Sequence, residues 1–271
     1  MPQTEHELQH FLKVAIDAAI QAGEILLKYW GQLSAIKEKE FSGDLVTEAD
    51  QESEVLIMDI LHTHFPDHAF LGEEGGAKFS GKNEYMWCVD PLDGTTNYTH
   101  QFPIFSVSIA LLYHKKPIVG VVYNPITKEL FHAAKGLGAY CNGTKLHVSK
   151  VTQLTKSLLV TGFPYNRREN SDNNYREFFH MTHISQGVRR LGSAALDLAY
   201  VAAGRLDGYW EKGLKPWDMA AGVIILKEAK GRVSAFDLSE FQLFEGNLLA
   251  TNGLIHSALS DHLCNPYILQ G

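Results

Sequence analysis

The chain has 271 residues, of which 45% are hydrophobic and 20% charged; this is ordinary globular composition, long enough to bury a large core, and it excludes disorder. Lys and Arg number 24 against 31 Asp and Glu, a net charge of -7, which is the wrong sign for sequence-independent binding of nucleic acid phosphates. Direct nucleic-acid binding is therefore not expected, and Arg167-Arg168 and Arg189-Arg190 are the local patches left for such contacts.

From the N-terminus onward, Met-Pro-Gln-Thr-Glu-His-Glu lacks the basic and apolar regions of a signal peptide. Leu8, Phe11, Leu12, Ala15, Ala19, Ala22 and Leu26 recur at three- and four-residue spacing and predict a long amphipathic first helix. Thr47 caps a second helix with Leu56, Ile57, Ile60 and Leu61 on one face, stopped at Phe65-Pro66, and Asp50 lies in its first turn. Apolar runs at Met86 to Val89, Phe105 to Tyr113, Ile118 to Tyr123 and Leu130 to Ala134, parted by turns at Lys115 to Pro117 and Asn124 to Lys128, read as an antiparallel sheet. The longest of the strongly apolar runs, Ile104 to Tyr113, is broken by Ser106 and Ser108 and falls far short of the ~20 residues a bilayer requires.

The second half alternates strands near Ser157 to Thr161 and Asp207 to Trp210 with helices near Asn173 to Ser185, Ser193 to Ala203 and Pro216 to Lys230. Pro216 suits the first turn of the last of these, which places Asp218 near the positive end of that helix. No linker, long charge run or fixed-period repeat divides the chain. Residues 1–271 read as one unit with two lobes, an α+β lobe over 1–150 and an α/β lobe over 151–271. Cys88, Cys141 and Cys264 are too widely spaced for a disulfide framework or zinc module, and a soluble protein of the reducing cytoplasm, without a membrane partner, is expected.

The chemistry concentrates at Trp87-Cys88-Val89-Asp90-Pro91-Leu92-Asp93-Gly94-Thr95-Thr96-Asn97, where an apolar run ends in two carboxylates and two hydroxyls. Pro91 and Gly94 bend the backbone so that Asp90 and Asp93 can converge, which suits a hard cation; an ordinary Pro-x-Asp-Gly turn fits the same residues equally well. Gly72-Glu73-Glu74 upstream and Trp217-Asp218 downstream add oxygen ligands from distant segments. With no His or Cys among them, the set points to Mg²⁺ and away from zinc or copper.

These elements, in this order, resemble the inositol monophosphatase family, whose two signatures stand here as DPLDGTTN and WDMAAGVIIL. The resemblance runs from the first helix through Asp44 to Asp50 and on to a C-terminal helix near residue 255, and Gly192 to Arg205 resembles the family's bacterial branch. It implies the layered αβαβα sandwich of the inositol monophosphatase and fructose-1,6-bisphosphatase superfamily, and a Mg²⁺-dependent phosphatase of myo-inositol 1-phosphate and related polyol monophosphates. By the same resemblance, Glu73, Asp90 and the Leu92 carbonyl would hold one ion, Asp90, Asp93 and Asp218 a second, and Glu73 a third, weaker one. Asp50 and Thr95 would orient and deprotonate the nucleophilic water, although Thr47 and Asp50 also make an ordinary helix cap. The amides of Gly94 and Thr95 would bind phosphate oxygens. Gly192, Ser193, Ala194, Glu211, Asp93 and Asp218 would meet the polyol, with Lys39 a further basic contact.

The resemblance also implies a homodimer, lithium sensitivity and, from the bacterial branch, association with RNA polymerase and ribosomal RNA antitermination. An inactive but folded variant such as Asp93→Asn would separate that regulatory role from catalysis. Fructose 1,6-bisphosphate and 3′-phosphoadenosine 5′-phosphate are the rival substrates, because the fold is shared and only surrounding loops differ. Lys230, and Leu238-Ser239-Glu240-Phe241 after Asp237, depart from the family pattern and leave the outer loop geometry open. Gly76 to Asn83 imitates a nucleotide-binding loop but has Asn83 where Ser or Thr must ligate Mg²⁺. His62 and His64 are two apart and face different ways on a helix. Cys88, among apolar neighbours, reads as a buried, inert thiol.

Overall fold

The computed structural model describes residues 3–34, 36–39, 41, 44–78 and 84–265. Helix α1, Glu5–Tyr29, starts at a capping box in which the Thr4 hydroxyl accepts from the Glu7 amide and the Glu7 carboxylate accepts from the Thr4 amide. It buries Leu8, Phe11, Ala15, Ala19, Ala22 and Leu26 along one face, and its alanines allow close approach to the sheet beneath. Helix α2, Glu48–His64, lies beside it and ends at Phe65 as expected. Before α2, β1 (Ile36–Glu38) and β2 (Leu45–Thr47) form a short antiparallel ribbon.

The large sheet contains β3 (Ala69–Gly72), β4 (Gly76–Lys78), β5 (Tyr85–Asp93), β6 (Ser106–Tyr113), β7 (Lys116–Asn124), β8 (Glu129–Ala134), β9 (Gly138–Cys141) and β10 (Thr144–Lys145). Its order is β10-β9-β8-β7-β6-β5-β3-β4. The meander from β5 to β10 is antiparallel, whereas β3 pairs parallel to β5, an addition that the sequence pattern did not predict. Along β6, Val107, Ile109 and Leu111 face α1 and α2, and Ala110 and Leu112 face the opposite core, the period-two alternation of a sheet buried on both sides. The Gly76-to-Asn83 stretch opens as edge strand β4, and residues 79–83 lie outside the described residues.

After the short helix α3 (Thr95–Thr99), the second half supplies β11 (Leu158–Thr161), α4 (Tyr175–Ile184), β12 (Gly187–Arg189), α5 (Ala194–Ala202), β13 (Gly208–Glu211), α6 (Pro216–Glu228), β14 (Arg232–Ser234), β15 (Leu248–Thr251) and α7 (His256–Cys264). The second sheet runs β12-β11-β13-β15-β14 and is mixed. Helices α5 and α6 fill the space between the two sheets, α1 and α2 cover the outer face of the first, and α4 and α7 cover the second. The result is the expected five-layer αβαβα sandwich. Among the described residues no helix is long and apolar enough to cross a membrane.

Candidate active site

Strand β5 delivers the first acids. Its parallel partner β3 aligns Gly72 with Val89, so Glu73, the next residue, emerges beside Asp90, and the Glu73 amide donates to the Val89 carbonyl at 3.2 Å. The ladder with β6 breaks its register between Asp90 and Asp93, the irregularity by which a strand redirects its side chains. There the Leu92 amide donates to Asp90 Oδ1 at 2.9 Å. Gly94 turns the chain at φ 102°; a Cβ there would stand 3.0 Å from the Ile104 carbonyl and 3.1 Å from that of Gly192. Only glycine suits both the conformation and the space.

Asp50 serves both of the roles considered for it. Its Oδ2 accepts from the Thr47 amide at 2.9 Å and from the Thr47 hydroxyl, closing the cap of α2, while Oδ1 accepts from Thr95 Oγ1 at 3.3 Å. A carboxylate has two oxygens, so the cap and the Thr95 contact coexist. Thr95 Oγ1 also lies 3.1 Å from the Leu92 carbonyl. Asp50 sits behind Thr95 at 1% exposure.

Asp93 is held more firmly than its sequence suggested. Its Oδ2 accepts from Ser193 Oγ at 2.6 Å and the Ala195 amide at 2.7 Å, and Oδ1 accepts from the Ala194 amide at 3.2 Å. The free amides at the start of α5 satisfy this buried carboxylate, so Ser193 and Ala194, expected at the polyol, turn first toward Asp93. Asp218, in the first turn of α6, accepts from the Lys215 amide at 2.7 Å, and the Trp217 carbonyl accepts from Ser108 Oγ at 3.0 Å, tying α6 to β6. Tyr209 donates its hydroxyl to Glu211 at 2.6 Å from the same face of β13. A Cβ on Gly162 would fall 2.2 Å from that carboxylate, so glycine makes its room.

Glu73, Asp90, Leu92, Asp93, Gly94, Thr95, Gly192, Ser193, Ala194, Glu211 and Asp218 all line one cavity of about 220 Å³. Lys39 belongs to it too, donating to Glu73 at 2.7 Å and also to Glu74. Seven carboxylates and three basic side chains share the lining, and none of the lining residues is His or Cys. Burial, followed by the nearby charges of Glu73, Asp93 and Asp218, raises the Asp90 carboxyl well above the usual carboxylate range. Burial, then Glu73 and Asp93, does the same to Asp218. Burial lifts Asp93 to about 6 against the pull of its Ser193 and α5 donors, and lifts Asp50 to about 6 and Glu211 to about 7. Burial also works against charge on Lys39, yet Glu73 and Glu74 hold that ammonium above the usual lysine range.

Crowded, buried, all-oxygen acids call for positive charge, and their donor chemistry fits a hard divalent ion. Among the described residues no three His, Cys, Asp or Glu side chains are set closely enough to enclose an ion by themselves. Glu73 reaches toward Lys39 and both Asp93 oxygens are engaged by α5, so the acids ring the cavity instead of meeting at the single point their spacing suggested.

Several lining residues were not assigned to the site from the sequence. Arg190, noted as a basic patch, faces the acids, as do Tyr165, Gly162 and Asp197. Asp197 had a local signal, a lone acid in the apolar run Leu196 to Val201; it is 1% exposed and its Oδ1 has no hydrogen-bond partner. Cys88 is fully buried, and burial raises its thiol far above the usual range, in keeping with an inert packing role.

The five-layer α/β sandwich with acids gathered around one small cavity, together with the family profile that it matches, makes this chain a phosphatase of phosphoric monoesters. The chain belongs to the inositol monophosphatase family, whose sequence profile matches residues 7–266. It is 53% identical to the inositol-1-monophosphatase of Synechocystis over 257 residues, covering 95% of this chain and 90% of that protein. It is also 44% identical to Nus factor SuhB of Pseudomonas aeruginosa, covering 93% of this chain and 95% of the relative. The solved inositol monophosphatase of Anabaena superposes with a TM-score of 0.89 at 51% identity, over 97% of this chain and 98% of that one.

Proposed function

We propose that this chain hydrolyses myo-inositol 1-phosphate and related polyol monophosphates to the free polyol and phosphate, with two to three Mg²⁺ ions per site. The observation that carries the reading is that Glu73, Asp90, Asp93 and Asp218, from three distant segments, line one cavity with Thr95 and with Asp50 behind it. Glu73, Asp90 and the Leu92 carbonyl would hold one ion, Asp90, Asp93 and Asp218 a second, and Glu73 a weaker third. The Leu92 carbonyl keeps a lone pair beyond its Thr95 contact for this purpose. When bound, Mg²⁺ neutralises phosphoryl oxygens, acidifies water and stabilises the leaving alkoxide.

The chain's own residues complete the chemistry. Thr95 passes its hydroxyl proton to Asp50 Oδ1, and its oxygen takes a proton from the attacking water, so one proton moves inward along the pair. A carboxyl raised to about 6 is a better acceptor than an exposed aspartate. The Gly94 and Thr95 amides orient the phosphate, and Glu211 and Asp218 accept hydrogen bonds from polyol hydroxyls.

Phosphate release from inositol 1-phosphate, fructose 1,6-bisphosphate and 3′-phosphoadenosine 5′-phosphate, with and without Mg²⁺ and Li⁺, tests the reading. Mg²⁺-dependent, Li⁺-inhibited turnover led by inositol 1-phosphate is expected; a lead by either rival would overturn the substrate assignment, and turnover indifferent to chelator would overturn the metal assignment. A homodimer in the cytoplasm is expected and light scattering checks the former.

The relatives named Nus factor SuhB favour a second reading, association with RNA polymerase or an antitermination complex. Asp93→Asn is a poor probe of it, because an amide cannot accept all three of the α5 donors. Asp90→Asn keeps the acceptor for the Leu92 amide and is the better inactive, folded variant. Retained polymerase binding by that variant supports the second reading, and no binding by either form removes it.

A further inference from the structure

At the opposite end of α6 from Asp218 lies a larger cavity of about 880 Å³ that has no part in the phosphatase reading. Lys227 is nine positions beyond Asp218, so the two ends stand about 14 Å apart along the helix. Ile118, Val223, Ile224 and Leu243, all 5% exposed or less, form an apolar floor. Around it stand Lys115, Lys116, Lys135, Lys227 and Arg232 against Glu228, Glu240 and Glu245. In a chain of net charge -7, five basic residues against three acidic ones are a local inversion.

Among the described residues, no ion pair closer than 3.8 Å joins these acids and bases. Both Glu228 oxygens accept backbone amides of the β8–β9 turn, from Gly136 and Gly138 at 2.9 Å each, and Glu240 approaches Lys116 only to 3.8 Å. Partial burial, and then Lys116, lower the Lys227 ammonium below the usual lysine range, with Glu240 opposing them. Phe244 is 48% exposed at the cavity, and Lys115 lies 5.7 Å above its ring.

The rim also carries left-handed backbone. Of the eight non-glycine residues with positive φ among the described residues, three line this cavity: His114 at 48°, Lys115 at 63° and Leu238 at 68°. His114 and Lys115 are the two-residue turn of the β6–β7 hairpin, between the paired Tyr113 and Lys116, where positive φ at both positions is ordinary turn geometry; Leu238 lies outside any hairpin, and its conformation costs about 1–2 kcal/mol. Leu238 to Phe241 is the very segment that departs from the family pattern.

We propose that this cavity binds a small amphipathic anion, with an apolar or aromatic body on the floor and against Phe244 and a phosphate, sulfonate or carboxylate group between Lys116 and Lys227. Its volume is in the range of small-molecule pockets. The fluorescent probe 8-anilinonaphthalene-1-sulfonate tests this on the full chain. One saturable site is expected, and excess inositol 1-phosphate should not displace the probe. The double variant Lys116→Glu/Lys227→Glu should weaken it at least about tenfold, as should replacing it by N-phenyl-1-naphthylamine, which lacks the sulfonate. Phe244→Ala, which leaves the lysines in place, should weaken it at least about threefold even where the double variant does not fold. Unchanged affinity in a folded variant, equal binding of the uncharged probe, or displacement by inositol 1-phosphate overturns the proposal.

Discussion

The two ends of α6 hold charge in different ways. At its start Asp218 joins Asp90 and Asp93, which are 3% and 8% exposed, and these acids push one another's carboxyls upward. At its last turn Lys227 neighbours Lys116, whose side chain is 82% exposed. Charges withdrawn from water either change protonation or demand a counter-ion. Charges left in water are screened and contribute little to stability by themselves. The energetic demand at each end is therefore set by burial and not by the number of charges.

The largest test of that contrast is Asp90→Asn. We expect phosphatase turnover to fall at least about a thousandfold, or about 4 kcal/mol. In chelator the same variant should melt higher than the wild type, because one of several repelling charges is gone. Calorimetry in chelator reads this directly, and a lower melting temperature would show that the buried acids are at ease and break the comparison.

Glu211→Gln sharpens it through pH. Burial raises the carboxyl from 4.5 to about 7, so its contribution to stability is complete below 4.5 and is lost as pH rises through 7. Well above that range the variant should exceed the wild type in stability by about 3 kcal/mol. The gap should close toward pH 4.5, and urea melts at both extremes would reveal a parallel offset if the carboxyl were not the cause. Gly94→Ala should follow at about 2 kcal/mol of destabilisation, since its φ of 102° and the two carbonyls near the new Cβ oppose any side chain; an unchanged urea midpoint would contradict this. Smallest are Lys116→Met and Lys227→Met, each expected to change stability by less than about 0.5 kcal/mol. A larger loss would mean that the basic end is structural after all.

Elements with their own local signal were legible in the sequence. The first two helices, the β5–β8 meander, and α5 and α6 follow from apolar runs and spacing, from the cap at Thr47 and from Pro216 in the first turn of α6. The acids of the site stood out because Asp90, Asp93 and Asp218 interrupt apolar stretches. What was not legible depends on distant partners. β12 and β14 are only three residues long and are strands because of their neighbours. The parallel pairing of β3 with β5, which brings Glu73 to Asp90, skips over β4 in the chain and is fixed by the sheet, not by either segment's own pattern. Tyr165 and Arg190 reach the cavity from loops whose path no local pattern encodes, and the grip of α5 on Asp93 spans 100 residues or more.

That span bears on how the molecule is made. Asp93 is the last residue of β5, in a sheet built largely from neighbouring hairpins, while its donors Ser193, Ala194 and Ala195 belong to sequence synthesised much later. At a translation rate of about 5–20 residues per second, the carboxylate waits roughly 5–20 s for the helix that receives it. Closing so long a loop carries an entropic cost that short-range hairpins avoid. The cavity is consequently among the last parts of the nascent chain to assemble, and catalytic competence marks completion of the fold.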